Sequence, residues 1–264
     1  MSFRKAFVGV ALCCAAPNAA AAQTTRQIEG AYEITFAGFS GFRIDFTAKY
    51  TGDRYEVDSH VFKEGLLKAI TLHYEGRNKA WGGFQPGRAQ PNGGSLALVI
   101  SGDTRTWMAQ YGAGGMVSET HTPDWKPGPK AVISEAERLP SLDPLTAAIS
   151  VGAAGDAACD RTVASNDGKR RIDIILKKVT TESPQAAGVP EAKGELLVCD
   201  IYTKRVAGEF YDAPQEAETE RERPMRLWLA RMDDTPFRYP VKLQARTFFG
   251  TISGRTLYFR ETVK

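Results

Sequence analysis

Apolar and polar residues alternate strictly over one early stretch of the chain. Phe42, Ile44, Phe46, Ala48 and Tyr50 are interleaved with Arg43, Asp45, Thr47 and Lys49, the period-two pattern of a strand with one buried face. Ala31–Ala37 reads as a strand before it, with a tight connection at Gly38–Gly41. Gly52-Asp53 turns the alternating strand into Tyr55–Phe62, and Gly65 turns that one into Leu67–Tyr74. Strands at this spacing, joined by short turns, describe an antiparallel meander. The segments Gly82–Gly94 and Tyr111–Pro129 are rich in glycine and proline. Each reads as a long irregular loop, lying on the surface or over a site. Between them, Ser95–Ile100 and Thr104–Ala109 fit strand or helix equally well.

The second half carries one punctuated helix and a hairpin. Asp143 suits an N-cap, Pro144 the first helical position and Gly152 the stop, with Leu145, Ala148 and Ile149 on one face. So short a helix must dock on the sheet to persist in water. Asn166-Asp167-Gly168 is the strongest hairpin signal in the chain, because Asp-Gly supplies positive φ at little cost. After it, Ile172, Ile174 and Leu176 alternate with charged residues, and later Leu197, Cys199 and Ile201 share one face. Cys199 is therefore expected to point inward. Glu216–Arg223 is a charge run, read as a solvated loop or helix face. The chain closes with strands at Met225–Arg231, Val241–Phe248 and Thr256–Arg260, the last two joined through Gly250–Arg255. The whole reads as an all-β domain with one short docked helix.

Residues 1–22 do not belong to that domain. Arg4 and Lys5 precede an apolar run, Ala6–Ala16, and the small residues Ala20-Ala21-Ala22. This is the form of a cleaved secretory signal peptide, too short to span a membrane. It leaves residues 23–264 as a single exported domain, without a later transmembrane segment. That domain has 32 basic residues (34 less Arg4 and Lys5) against 31 acidic ones, so no bulk field attracts nucleic acid. Of four cysteines, Cys13 and Cys14 are lost with the leader. Export and the remaining pair argue for an oxidising compartment, the periplasm, and for a Cys159–Cys199 disulfide. Next-but-one strands stand roughly 10 Å apart, beyond the ~7 Å reach of a disulfide. Either the strand of Cys199 returns beside that of Cys159, or Cys159 lies in a linker folded over the sheet.

Catalytic patterns are sparse. His60, His73 and His121 lack metal-ligand spacing, and neither a Gly-x-Ser-x-Gly elbow nor a P-loop occurs. Gly112–Gly115 lacks the flanking strand and helix of a dinucleotide site. No catalytic residue, metal or cofactor is expected. Asp160 and Asp200 each follow a cysteine, so a disulfide could unite them as a carboxylate pair; two outward-facing sheet residues explain them as well. The aromatic stripe Phe42, Phe46, Tyr50 and Tyr55 is either packed core or the wall of an apolar ligand cavity. Lys242, Arg246 and Arg260 either contact anionic headgroups or form the wet face of a sheet.

Tyr32 with Gly38 and Gly41, Arg54-Tyr55, Gly65, Asp143-Pro144-Leu145, Asp167-Gly168-Lys169-Arg170, Trp228, Pro240-Val241-Lys242-Leu243 and Gly250 form a familiar set. On these residues the chain resembles exported bacterial proteins of domain-of-unknown-function family 3108. That family has no assigned activity, so no catalytic residues carry over. The resemblance implies a mainly β fold: a strongly curved antiparallel sheet, or open barrel or spiral, in the bacterial envelope. It is similar to periplasmic lipoprotein carriers and spiral-sheet envelope-integrity proteins. The expected function is non-enzymatic binding of an apolar ligand (lipid or lipoprotein) or an envelope partner protein in the sheet concavity. The alternatives are a hydrolase of envelope material with a site built from dispersed residues, and a structural partner acting through its sheet edge.

Overall fold

The computed structural model describes residues 24–70, 73–124, 132–209, 224–232, 237–247 and 250–263. Residues 1–22, read from the sequence as a signal peptide, and the charge run Glu216–Arg223 lie outside them. Seven strands come from the first half: β1 (Thr25–Phe36), β2 (Phe39–Thr51), β3 (Arg54–Lys63), β4 (Tyr74–Gln85), β5 (Arg88–Ile100), β6 (Asp103–Gly112) and β7 (Gly115–Thr122). Six follow: β8 (Arg161–Asn166), β9 (Arg170–Glu182), β10 (Leu196–Gly208), β11 (Met225–Arg231), β12 (Arg238–Thr247) and β13 (Gly250–Val263). They form one antiparallel sheet in the order β7-β6-β5-β4-β3-β2-β1-β13-β12-β11-β10-β9-β8. Every ladder joins strands adjacent in sequence except one. β1 lies against β13, from Arg26 opposite Val263 to Phe36 opposite Ile252. The chain thus starts at the middle of the sheet, winds out to β7, crosses over, and winds back from β8.

The crossing segment joins the two edges. Leu139 carbonyl accepts the Met116 N–H of β7 at 3.0 Å. Leu142 N–H donates to Ala164 carbonyl at 2.9 Å, and Asn166 N–H donates to Leu142 carbonyl at 2.8 Å. Four residues, Leu139–Leu142, therefore strap β7 to β8 and cover edge groups that would otherwise template aggregation. Gly168, in the hairpin after β8, lies beneath the indole of Trp107 on β6. The sheet is curved and unclosed, but its ends are tied.

Two of the short helices frame this strap. α1 (Gly65–Ile70) follows β3, and α2 (Glu135–Arg138) begins with a capping box between Ser134 and Glu137. α3 (Pro144–Ala153) follows the strap, and α4 (Pro184–Ala187) begins the lobe between β9 and β10. α3 has no charged residue, and Thr146, Ala147, Ile149, Ser150, Val151 and Gly152 are buried, as expected of a helix largely enclosed by the sheet. Ala147 and Val151 pack with Leu176, Leu197, Cys199, Leu227 and Leu229 of the second half. Ile149 packs with Ile28, Ala48, Tyr55 and Val57 of the first.

Several expectations need correction. Leu67–Tyr74 is not a strand: α1 occupies its start, and Leu66, Leu67 and Ile70 also fit helical spacing. Gly82–Gly94 is not a loop but most of the β4–β5 hairpin, turning at Pro86-Gly87. Its glycines make room: Gly82 meets the Gln90–Pro91 backbone, and Gly93 lies under the Trp81 ring. Pro91 pairs with Gly82 beside a register shift, where its missing donor is tolerated. Within Tyr111–Pro129, β6 and β7 form a further hairpin, and residues 125–131 lie outside the description. Ser95–Ile100 and Thr104–Ala109 are both strand, and Gly250–Arg255 is the start of β13. Gly152 does not stop α3, which runs to Ala153; a glycine stands there because Phe237 and the Arg238 carbonyl occupy the place of a Cβ.

Cys159 and Cys199 are at disulfide distance with Cα atoms 5.6 Å apart. β9 lies between β8 and β10, so the second geometric option holds: Cys159 sits in the linker before β8, folded over the inner face. Cys199 is buried there, as its strand pattern requires.

Two outcomes follow. Replacing both cysteines by alanine should lower stability by at most about 4 kcal/mol in urea melts, the chain-entropy value for a loop of this size; the unreduced, denatured mature protein should titrate no thiol. Gly115 has φ 122°, and a Cβ there would land on the Leu139 carbonyl of the strap. Gly115→Ala should therefore cost more than about 1 kcal/mol, whereas Gly114→Ala, with open space around it, should be near neutral.

Candidate functional site

The inner face of the sheet is filled unevenly. Beside α3 an apolar void of about 340 Å³ remains. Ile28, Ile44, Phe46, Ala48, Tyr50, Val57 and Val61 of β1–β3 form one wall. Pro144, Leu145, Ala148 and Ile149 of α3 form the second, and Met232, Phe237, Tyr239 and Phe259 the third. Two of the polar side chains at its border are tied to neighbours: Tyr32 hydroxyl donates to Pro240 carbonyl at 3.0 Å, and Asn78 Nδ2 donates to Ser59 Oγ at 3.1 Å. Its size lies within the ~300–1,000 Å³ of small-molecule sites.

Gly30 organises the aromatic floor. It stands opposite Phe46 on β2 and Phe259 on β13, and a Cβ on it would enter the Phe46 ring. The ring lies flat over the glycine, stacked on Tyr32 at 5.4 Å. Across the void Tyr239 stacks on Phe259 at 4.2 Å. The ladder between β12 and β13 ends at Lys242–Arg255, so the two strands diverge here. Only side chains bridge the fork, through Tyr32 to Pro240 and Thr256 Oγ1 to the Val241 carbonyl at 3.3 Å. At Tyr50, Met232 and Phe237 the void adjoins a wider opening of about 690 Å³, bordered also by Phe84, Gln85, Gly87 and Ala153.

The predicted stripe is divided. Phe46 and Tyr50 line the void. Tyr55 is buried beneath it, its hydroxyl 3.3 Å from Thr146 Oγ1 of α3. Phe42 lies away from it, edge-on to Phe36 and Tyr74. Sequence reasoning missed Phe237, Tyr239 and Phe259, because they reach this wall only through the β1–β13 pairing. It also read Leu145, Ala148 and Ile149 simply as a docking face.

Asp143 seats α3. Its Oδ1 accepts from Leu145 and Thr146 N–H at 3.1 and 2.9 Å, and its own N–H donates to Tyr111 hydroxyl at 2.6 Å. Oδ2 is buried against Gly94 without a hydrogen-bond partner. Burial, only partly offset by the cap hydrogen bonds, pushes this carboxyl up to about 6. Burial likewise raises the phenols of Tyr50, Tyr55 and Tyr111.

Elsewhere the dispersed candidates find separate partners. His60 Nε2 lies 2.8 Å from Glu75 Oε1, and His73 Nε2 lies 3.6 Å from Oε2. Arg77 and His60 hold that carboxylate below its ordinary range. Among the described residues no group of three His, Cys, Asp or Glu could hold a metal ion. Asp160 accepts Lys178 N–H at 3.0 Å, whereas Asp200 pairs with Arg226 at 3.0 Å, so they do not act as a carboxylate pair. Lys242 lies over the Trp228 ring and donates to Ala187 carbonyl at 2.6 Å, and Arg260 lies over Tyr258. Lys242 is half-buried against Trp228 and Ala187, whereas Arg246 and Arg260 are exposed.

Comparison with known proteins agrees with this architecture. The profile of a family described as "Protein of unknown function (DUF3108)" matches residues 31–257. No curated protein matches the chain. Among solved structures, a beta-barrel-like protein of domain of unknown function DUF1849 from Brucella abortus is similar in fold. It has 8% identity and a TM-score of 0.52, and the match covers 91% of this chain and 98% of that one. Among the described residues, no helix is long and apolar enough to cross a membrane.

The Asp143 site predicts a pH dependence. Its folded value, about 6, lies above the ordinary 3.8, so the folded state holds its proton more tightly. Its stabilising contribution is complete below 3.8, falls as pH rises to about 6, and is absent above. The loss should be on the order of 3 kcal/mol. Asp143→Asn keeps a cap acceptor, so it should flatten this part of the stability–pH curve and raise stability at pH 7, as read from urea midpoints.

Proposed function

We propose, for a chain that belongs to the DUF3108 family, an exported, non-enzymatic protein of the bacterial envelope that holds an apolar molecule in its sheet concavity. The carrying observation is the 340 Å³ void beside α3, walled by apolar side chains and opening beyond Tyr50 and Phe237. A lipid or the acyl part of a lipoprotein fits such walls by burying hydrocarbon against them. The periplasm is the compartment this reading requires, supported by the leader-like residues 1–22 and the bonded cysteine pair.

The competing readings have less support. A hydrolase needs polar groups converging on the void. Asp143, the carboxyl with the raised value, instead faces Gly94 and the helix start. A partner docking by strand addition would meet the Leu139–Leu142 strap already bonded at Met116 of β7 and at Ala164 and Asn166 of β8.

A neutral apolar probe, N-phenyl-1-naphthylamine, should bind the native mature protein saturably. Ala148→Phe adds a ring at a position facing the void, so it should abolish that binding while the melting temperature holds. Phe46→Ala should cost about 1.5–3 kcal/mol, the transfer value for a side chain at a void, not the ~3–5 kcal/mol of a packed core. Absence of saturable binding, together with the full core cost, would remove the concavity as a binding site.

A further inference from the structure

The fork between β12 and β13 leaves a backbone edge open inside the sheet. Beyond Arg255, β13 pairs with β1 alone, out to Val263 opposite Arg26. Across the fork, residues 238–241 of β12 pair with β11 alone. In an antiparallel ladder every second residue bonds to a given neighbour, so about half of residues 256–263 aim N–H and C=O into the fork. Among the described residues, the hydrogen bonds that cross it run from the Tyr32 and Thr256 hydroxyls to β12 carbonyls, and none reaches the β13 backbone.

A crevice of about 430 Å³ runs along this edge. Residues 256–261 line one side, Tyr239 and Val241 the other, and residues 191–193 of the lobe before β10 complete it. Met232, Tyr239 and Phe259 line both the crevice and the void, which gives the crevice an apolar floor. Leu257 is 43% exposed and Tyr258 36%, although β13 lies in the interior of the sheet order. An unpaired edge is a template for another strand. An extended peptide fits both features, with its main chain on the edge and alternate side chains on the floor. Strands wall the crevice on both sides, so a single free segment enters it where the edge of a second folded copy does not.

The charges around the crevice set the sign of that segment. Arg231 and Arg238 share the one carboxylate of Asp156, each at 2.7 Å, which leaves a surplus positive charge. Arg260 lies over the Tyr258 ring and, among the described residues, has no carboxylate within ion-pair distance. Glu261 is matched by Arg26 at 2.6 Å, and Lys193 and Glu191 offset one another. We propose that the fork takes up an extended acidic segment of a partner protein, which adds to β13 as a strand and rests apolar side chains on Tyr239 and Phe259. This interaction is separate from whatever occupies the void.

The test is amide hydrogen exchange, read by NMR on the mature protein. The probe is an acetylated, amidated peptide of alternating glutamate and valine, as long as residues 256–263. In the free protein every second amide of residues 257–263 should exchange fast, while those facing β1 stay protected. The peptide should slow the fast set saturably, by about tenfold or more, the scale of a hydrogen bond formed at an edge. A peptide of alternating lysine and valine should bind several-fold more weakly. Arg260→Glu, at an exposed position, should weaken the glutamate peptide several-fold and strengthen the lysine peptide, with the melting temperature unchanged. Slow exchange throughout residues 257–263 in the free protein means the edge is already covered, and overturns the proposal. Failure of both peptides to protect those amides at millimolar concentration also overturns it. Equal protection by both overturns the acidic assignment. Protection that grows with protein concentration alone gives the edge to a second copy instead.

Discussion

An antiparallel sheet that curves without closing leaves two rows of unpaired backbone donors and acceptors, and burying them unpaired is costly. Here β7 and β8 are those rows, and the strap Leu139–Leu142 bonds to both. The strap fixes how far the sheet can uncurl, because Met116 on one edge and Ala164 and Asn166 on the other are held by four consecutive residues. It also sets where the following helix begins. Asp143 comes directly after it, so α3 is delivered into the concavity with its N-terminus already positioned. Curvature, helix placement and interior volume thus share one source.

The helix cannot fill both halves equally. Its Ala147 and Val151 meet a dense set of leucines from β9–β11, where the disulfide adds a further tie between the linker and β10. On the other side Leu145, Ala148 and Ile149 face aromatic rings spread over Gly30 and over the fork between β12 and β13. Rings laid flat on a sheet leave more room than side chains interleaved with a helix, and the void is the difference. A buried carboxyl that holds the start of α3 at some cost in stability is consistent with a helix whose position matters more than its local energy.

Much of the fold was legible in local pattern. The alternation of Phe42–Tyr50, the Asp167-Gly168 turn and the Asp143-Pro144 helix start each depend on neighbours a few residues away, and each forms as read. Where composition misled, tertiary contact had overridden propensity: the glycines of Gly82–Gly94 are strand residues because Trp81 and the Pro91 backbone approach them closely. Gly152 looked like a helix stop and is instead the point where Phe237 packs against α3.

The sequence by itself determined which side chains share a face, that Cys159 and Cys199 would pair, and that the helix would dock. The tertiary structure alone decided what those faces meet. Phe46 reaches Phe259 only because β1 lies between them, pairing residues more than two hundred positions apart around Gly30. No local periodicity encodes that register. It follows from how the two windings of the sheet meet at its centre, and whether the concavity is filled depends on a volume balance among walls from distant parts of the chain.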